Sequence, residues 1–142
     1  MTTIAFIAYD HCLSSSISLP MEMLNAAADA NRALNQVETP VPKIYGSNRK
    51  ISCAGGLTLI TNSHPRSIEK PDLIILPAIV RNPLTVIKGQ RFLLELLRKW
   101  HRQGAMLCAV GTSSSFFAEA GLLDKRPATT HWAHFDTFQK RY

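Results

Sequence analysis

The run Asp72-Leu73-Ile74-Ile75-Leu76-Pro77 constrains the fold more than any other stretch of this chain. A short apolar block between an aspartate and a proline has no 3.6-residue period, and it falls far short of the ~18 apolar residues a membrane span needs. It reads as a strand covered on both faces, the type found inside parallel sheets. Thr3-Ile4-Ala5-Phe6-Ile7-Ala8-Tyr9 and Ala105-Met106-Leu107-Cys108-Ala109-Val110 repeat the pattern, the first as a central strand and the second as another buried one. Helical patterns separate the three runs. That alternation implies βαβ units, and so an α/β class with a mostly parallel sheet and helices on both faces.

The segments between fill in the order. Ser18 is placed to cap a first helix through Leu34, with Pro20 in the first turn and Met21, Met23 and Leu24 on its buried side. Val41 to Tyr45 reads as a second strand. Lys50 to Cys53 with Leu57 to Thr61, joined across Ala54-Gly55-Gly56, reads as a small hairpin or a bent strand, followed by a polar connector from Asn62 to Lys70. A loop through Asn82-Pro83 leads to an amphipathic helix from about Gln90 to Arg102. Phe92, Leu93, Leu96, Leu97 and Trp100 form its apolar face, Glu95 is placed to pair with Arg98 or Lys99, and Gly104 ends it. A further helix is expected over Phe116 to Leu123. His131 to Tyr142 begins a helix with no strand after it, so the sandwich is expected to be truncated at its C-terminus.

With 142 residues, 46% hydrophobic and 18% charged, the chain matches one globular domain able to hold together without disulfide or metal staples. A net charge of +6 raises the question of nucleic acid. The charge is dispersed, however, and Arg91, Arg98, Lys99 and Arg102 read as the solvated face of the amphipathic helix. No recognition-helix motif or zinc-finger spacing accompanies them. Cys12, Cys53 and Cys108 form no C-x-x-C pair, and the N-terminus lacks the pattern of a secretory leader, so thiols in a cytoplasmic protein are expected. Cys108 is read as a packed core thiol and Cys53 as a turn thiol. His131 and His134 lack a third ligand, and Gly55-Gly56 lacks a P-loop lysine, so neither a metal nor a nucleotide cofactor is expected.

The chemistry, if any, belongs at Gly111-Thr112-Ser113-Ser114-Ser115. A sharp strand-to-helix turn at the carboxyl end of a parallel sheet is where many α/β enzymes expose a nucleophile. Gly111 at the apex has no side chain. The four following hydroxyls have no G-x-S-x-G frame and read first as caps of the helix.

Val110-Gly111-Thr112, then Phe117-Ala118-Glu119-Ala120-Gly121-Leu122-Leu123-Asp124 and Arg126-Pro127-Ala128-Thr129-Thr130-His131-Trp132, resemble the ThiJ/PfpI, class I glutamine-amidotransferase-like domain. The likeness is strongest to the version at the N-terminus of AraC/XylS-type transcriptional regulators. Leu19-Pro20-Met21-Glu22-Met23-Leu24 and the Asp72–Pro77 run fall where that family has comparable segments. The resemblance implies a flavodoxin-like three-layer sandwich, usually dimeric, that senses a small molecule while a separate helix-turn-helix pair binds DNA. It also implies three departures. Gly111 stands where the enzymes carry a cysteine, Ser16 where they carry an acidic residue, and Ala78-Ile79 where a glycine pair leaves room for an oxyanion-binding N–H. His131 remains where the family often faces a histidine to the pocket.

The expectation is therefore a non-catalytic sensing domain over residues 1–142, without a DNA-binding domain of its own. Its effector, an unknown small molecule, is expected above the strand ends against Ser16, Gly111, Thr112, Ser113 and His131. The chain is expected to form a homodimer and to reach DNA only through a C-terminal helix-turn-helix domain outside these residues. The alternative is a ThiJ/PfpI-type hydrolase or lyase using Ser113 or a water activated by His131. A third reading is an interaction module that only dimerises.

Overall fold

A computed structural model describes residues 3–34 and 40–142. Met1 and Thr2, part of the N-terminus read above for a leader, lie outside the described residues. The strands are β1 (Ile4–Ala8), β2 (Lys43–Gly46), β3 (Lys50–Ser52), β4 (Thr58–Ile60), β5 (Leu73–Leu76) and β6 (Met106–Ala109). The helices are α1 (Ser15–Ala33), α2 (Pro83–Gly89), α3 (Phe92–Arg102), α4 (Ser114–Glu119) and α5 (Phe135–Arg141). β2, β1, β5 and β6 pair in that order, all parallel, and β3–β4 form a separate antiparallel hairpin. The sheet is thus mostly parallel and α/β, as the alternating runs require.

β1 is buried at every position because it lies between β2 and β5 and is covered on both faces. Phe6, Ile7, Ile74, Leu76, Leu93, Leu97 and Trp100 meet in one core. Complete burial of a side chain such as Leu97 contributes roughly 1.5–3 kcal/mol. The Trp100 indole N–H donates to the Ile68 carbonyl at 3.3 Å, which satisfies the one polar atom of a fully buried side chain. Gly104 takes φ +90 just past α3, where a residue with a Cβ would be strained.

Several expectations are corrected. α1 starts at Ser15, not after Ser18, and Ser14 at its N-cap makes no side-chain cap bond. Pro20 consequently sits in the second turn and denies a partner to the Ser16 carbonyl. Met21 and Leu24 do pack on the core, but Met23 is 73% exposed, because it lies on the opposite side of the helix. The loop through Asn82-Pro83 is helical: Asn82 Oδ1 accepts from the Leu84 amide at 3.0 Å and Pro83 opens α2. Glu95 forms no ion pair; the pairs among the described residues are Arg32–Asp29 and Arg141–Glu119. Arg98 instead turns its Nε onto the Ala120 carbonyl at 2.9 Å and binds the end of α4. α4 itself stops at Glu119, and Gly121 turns the chain at φ +70.

β6 is not a fully buried strand. It is an edge strand of the described sheet, and its burial alternates, with Met106 and Cys108 exposed. Cys108 is therefore no core thiol. Cys53, read as a turn thiol, is buried beside Cys12, with sulfurs 3.7 Å apart. No helix among the described residues is long and apolar enough to cross a membrane.

Candidate functional site

β6 runs into the turn through Val110 and bends at Gly111, whose φ of +56 lies in the left-handed region. The backbone there has the sharpness of a nucleophile elbow, with glycine at the apex. A single 3₁₀ turn, Gly111–Ser113, then delivers the chain into α4. Thr112 and Ser113 do not cap that helix: Ser113 occupies the N-cap without a side-chain cap bond. Their hydroxyls reach instead for backbone groups at the end of β5, just beyond it and within the turn itself. Thr112 Oγ1 accepts from the Ile79 amide at 2.9 Å and donates to the Ile79 carbonyl at 2.8 Å. Ser113 Oγ, fully buried, reaches the Leu76 carbonyl at 3.0 Å and the Val110 carbonyl at 2.9 Å.

These bonds decide what the elbow can do. Ser113 is enclosed, and its hydroxyl faces two carbonyls, which accept a hydrogen bond but cannot take its proton. The Ile79 amide, which follows the central strand's proline, is engaged by Thr112 and is not free to hold an oxyanion. Tyr9 lies beneath, its hydroxyl donating to the Pro77 carbonyl and its ring 5.2 Å from Phe116. Burial, reinforced by nearby Cys12, holds the Tyr9 phenol well above its usual pKa despite a hydrogen bond with Ser113, so it stays neutral.

The other expected residues reach the surface. Gly111 is exposed, and Ser16 is half-buried in the first turn of α1. His131 is exposed and caps the next 3₁₀ turn, its Nδ1 accepting from the Ala133 amide at 3.2 Å. Thr130 Oγ1 lies 3.5 Å from the Gly111 carbonyl, which brings the His131 segment alongside the elbow.

The cavity itself lies one step further along. About 290 Å³ opens between the segment after β5, the start of α4 and α5, and none of Ser16, Gly111, Thr112, Ser113 or His131 lines it. Val80, Pro83, Leu84 and Phe138 supply its apolar wall; Ser115, His134 and Thr137 its polar groups; Arg81 and Arg141 its charge. Ser115 is 6% exposed, and beside it the buried Ser114 hydroxyl has no hydrogen-bond partner among the described residues. Sequence reasoning stopped at the elbow because nothing in the motif distinguishes Ser115 from Ser113. The available signal was spacing: Ser115 and His134 lie two and three positions beyond the residues chosen. A second cavity of about 340 Å³ shares Leu84 and Arg141 and adds Lys88, Arg91 and Glu119. Between them, Glu119 Oε1 accepts from the Tyr142 hydroxyl at 2.6 Å and from Arg141 at 2.7 Å, which ties α5 to α4. No group of three histidine, cysteine or acidic side chains is placed to hold a metal ion among the described residues.

Comparison with known proteins gives a consistent answer. The model of the DJ-1/PfpI family matches residues 2–142. The HTH-type transcriptional regulator CdhR of Pseudomonas aeruginosa is 35% identical over 92 residues, which is 65% of this chain and 26% of that regulator. The chain thus spans about a quarter of the curated relative it matches. Among solved structures, a protein assigned as a transcriptional regulator from Vibrio parahaemolyticus superposes with a TM-score of 0.83 at 20% identity, over 99% of this chain and 72% of that one. An AraC family transcriptional regulator from Pseudomonas putida gives 0.78 at 20% identity, with the same coverage of both chains. A thiJ/pfpI family protein from Bacillus anthracis gives 0.70 at 19% identity, over 88% of this chain and 57% of that one. An α/β fold with a parallel sheet, an elbow after its last described strand and a family model matched almost from end to end place the chain in the DJ-1/PfpI family.

Proposed function

We propose that the domain is a non-catalytic effector-sensing module of an AraC-type transcriptional regulator, acting in the cytoplasm. The observation that carries this reading is the elbow: the apex is Gly111, and the adjacent hydroxyls of Thr112 and Ser113 are committed to backbone groups of the β5 side. Binding remains available where nucleophilic chemistry is not. The identity shared with a helix-turn-helix regulator supports the regulatory assignment.

The effector lies at the carboxyl ends of β5 and β6, where open parallel sheets bind their ligands. Ser115 and His134 contact it within the cavity, while Gly111, Ser16 and His131 form the adjoining surface; Thr112 and Ser113 act as supports. DNA is reached through a helix-turn-helix domain outside residues 1–142. Signalling requires that the effector bind two arrangements of the regulator unequally, since equal affinity shifts nothing.

The module works as a homodimer, and α1 supplies the candidate face. Ile17, Met21, Leu24 and Ala28 turn inward, while Leu19, Met23, Ala26, Ala30 and Leu34 follow one another at helical spacing along the outward side. Leu19 is 60% and Leu34 67% exposed. A helix apolar on two opposite sides requires a second surface to cover the outer one, and a second copy of α1 has the matching stripe.

The test is a thermal-shift screen of small metabolites, followed by calorimetry on any hit, with Ser115→Trp to fill the cavity. The expected result is a compound that raises the melting temperature of the parent and not of Ser115→Trp. If no compound stabilises the protein while it still dimerises, it is an interaction module. A purified hydrolase or lyase activity abolished by Ser113→Ala or His131→Ala would establish the enzymatic alternative.

A further inference from the structure

Cys12 and Cys53 are 41 positions apart in the chain, yet their sulfurs lie 3.7 Å from each other inside the protein. Cys12 follows β1 and Cys53 follows β3. Two backbone bonds bracket the pair: the His11 amide donates to the Ser52 carbonyl at 2.9 Å, and the Ala54 amide to the Cys12 carbonyl at 2.9 Å. The two segments are held side by side before any covalent link exists. A disulfide needs about 2.05 Å between sulfurs, so each has to move by less than about one ångström, within reach of side-chain rotation.

We propose that Cys12 and Cys53 form a reversible intrachain disulfide, making the junction of the β1–α1 loop with the β3–β4 hairpin a redox modification site. The oxidant is hydrogen peroxide, small enough to reach Cys53, which is 6% exposed where Cys12 is 0%. The Cys53 sulfur attacks one peroxide oxygen, the O–O bond breaks, and the departing hydroxide takes the thiol proton as water, leaving a sulfenic acid. The Cys12 sulfur then attacks the Cys53 sulfur, the S–O bond breaks, and the second hydroxide leaves as water with the Cys12 proton. Two thiols lose two electrons in total, and one peroxide becomes two waters. Burial, with repulsion from Cys53, pushes the Cys12 thiol up to about 12, which fits its role as the resolving partner and not the first to react.

The consequence reaches the elbow. Cys12 bridges Ile79, and Ile79 is the residue held by Thr112. The disulfide therefore fixes the loop on which the β5 side of the cleft rests.

The experiment uses the full chain carrying Cys108→Ser, which removes the exposed thiol. Reduced protein is treated with peroxide, denatured, alkylated and weighed. Expected are loss of both alkylation sites, a crosslinked pair of peptides containing Cys12 and Cys53, a higher melting temperature, and recovery of both sites with dithiothreitol. In a variant that also carries Cys12→Ser, Cys53 is expected to stop at a sulfenic acid that dimedone traps. Two alkylated thiols after peroxide, over-oxidation without a crosslink, or a link between chains overturns the proposal. Because the mass measurement is made on the intact pair, a Cys12→Ser variant that fails to fold leaves the answer unchanged.

Discussion

The hydroxyl of Thr112 binds both sides of one residue, accepting from the Ile79 amide and donating to the Ile79 carbonyl at 2.9 and 2.8 Å. One side chain thereby satisfies two buried backbone groups and sets the spacing between the elbow and the segment after β5. Thr112→Val keeps the shape and removes both bonds, and leaving such groups unpaired costs about 1–3 kcal/mol. Ser113→Ala is expected to cost less, because the Leu76 carbonyl also accepts from the Val110 amide. Urea unfolding midpoints of the two variants check the ranking; equal or reversed losses remove Thr112 as the tie.

Gly111 is the second position where the elbow can be tested. An added Cβ meets nothing closer than the Ala78 Cβ at 3.9 Å, so space does not demand glycine there. The backbone does, since φ is +56 and left-handed geometry costs an ordinary residue roughly 1–2 kcal/mol. Gly111→Ala should therefore lose about that amount without further disruption. Gly111→Cys should lose a similar amount and present a thiol that a disulfide reagent labels in the folded state. An unreactive thiol in a folded variant would mean that the apex is covered.

The parallel sheet was legible because its strands are apolar on both sides, and a run such as Leu73–Leu76 has few other ways to be buried. The site was legible to the elbow and no further. Composition around Gly111 marks a tight turn, but the destination of each hydroxyl depends on how close Ile79 and Leu76 come, which is a tertiary fact. The same holds for Cys12 and Cys53, separated by a helix and two strands, whose meeting no local spacing records. α2 was missed because Thr85 and Val86 carry weak helix propensity, although Asn82-Pro83 gave the cap signal. Met23 reads inward as part of an apolar helix cluster and Cys108 as part of a strand taken to be covered on both faces, and neither signal says which face the fold leaves uncovered.

The outward stripe of α1 leads to a prediction about assembly. Leu19→Lys with Met23→Lys places charge on residues that are 60% and 73% exposed in the single chain, so the folded monomer should lose little stability. The same charges would be buried in a dimer across α1, at considerable cost. Sedimentation of the parent as a dimer and of the double variant as a folded monomer is expected. A variant that sediments like a dimeric parent puts the interface on another surface.

The contact of α5 with α4 should respond to pH on both sides. The hydrogen bond from the Tyr142 hydroxyl, joined by the hydrogen bond and charge of Arg141, holds the Glu119 carboxyl below its ordinary range despite partial burial. The folded value is depressed, so the stabilisation is present above the ordinary carboxylate pKa and is lost as pH falls through the lower folded one. On the alkaline side, burial and its bond to Glu119 push Tyr142 up to about 12 from 10.0. Its share is complete below the ordinary value and disappears as pH rises through the raised one. Because Glu119 and Arg141 line the second cavity and Arg141 and Tyr142 the first, undocking of α5 opens both. Protection of the α5 amides, taken relative to their intrinsic exchange rate at each pH, should fall at both extremes in the parent. Glu119→Gln keeps an acceptor for Tyr142 but has no carboxyl to protonate, so the acid-side loss of protection should vanish; its persistence would place the acid-sensitive group elsewhere.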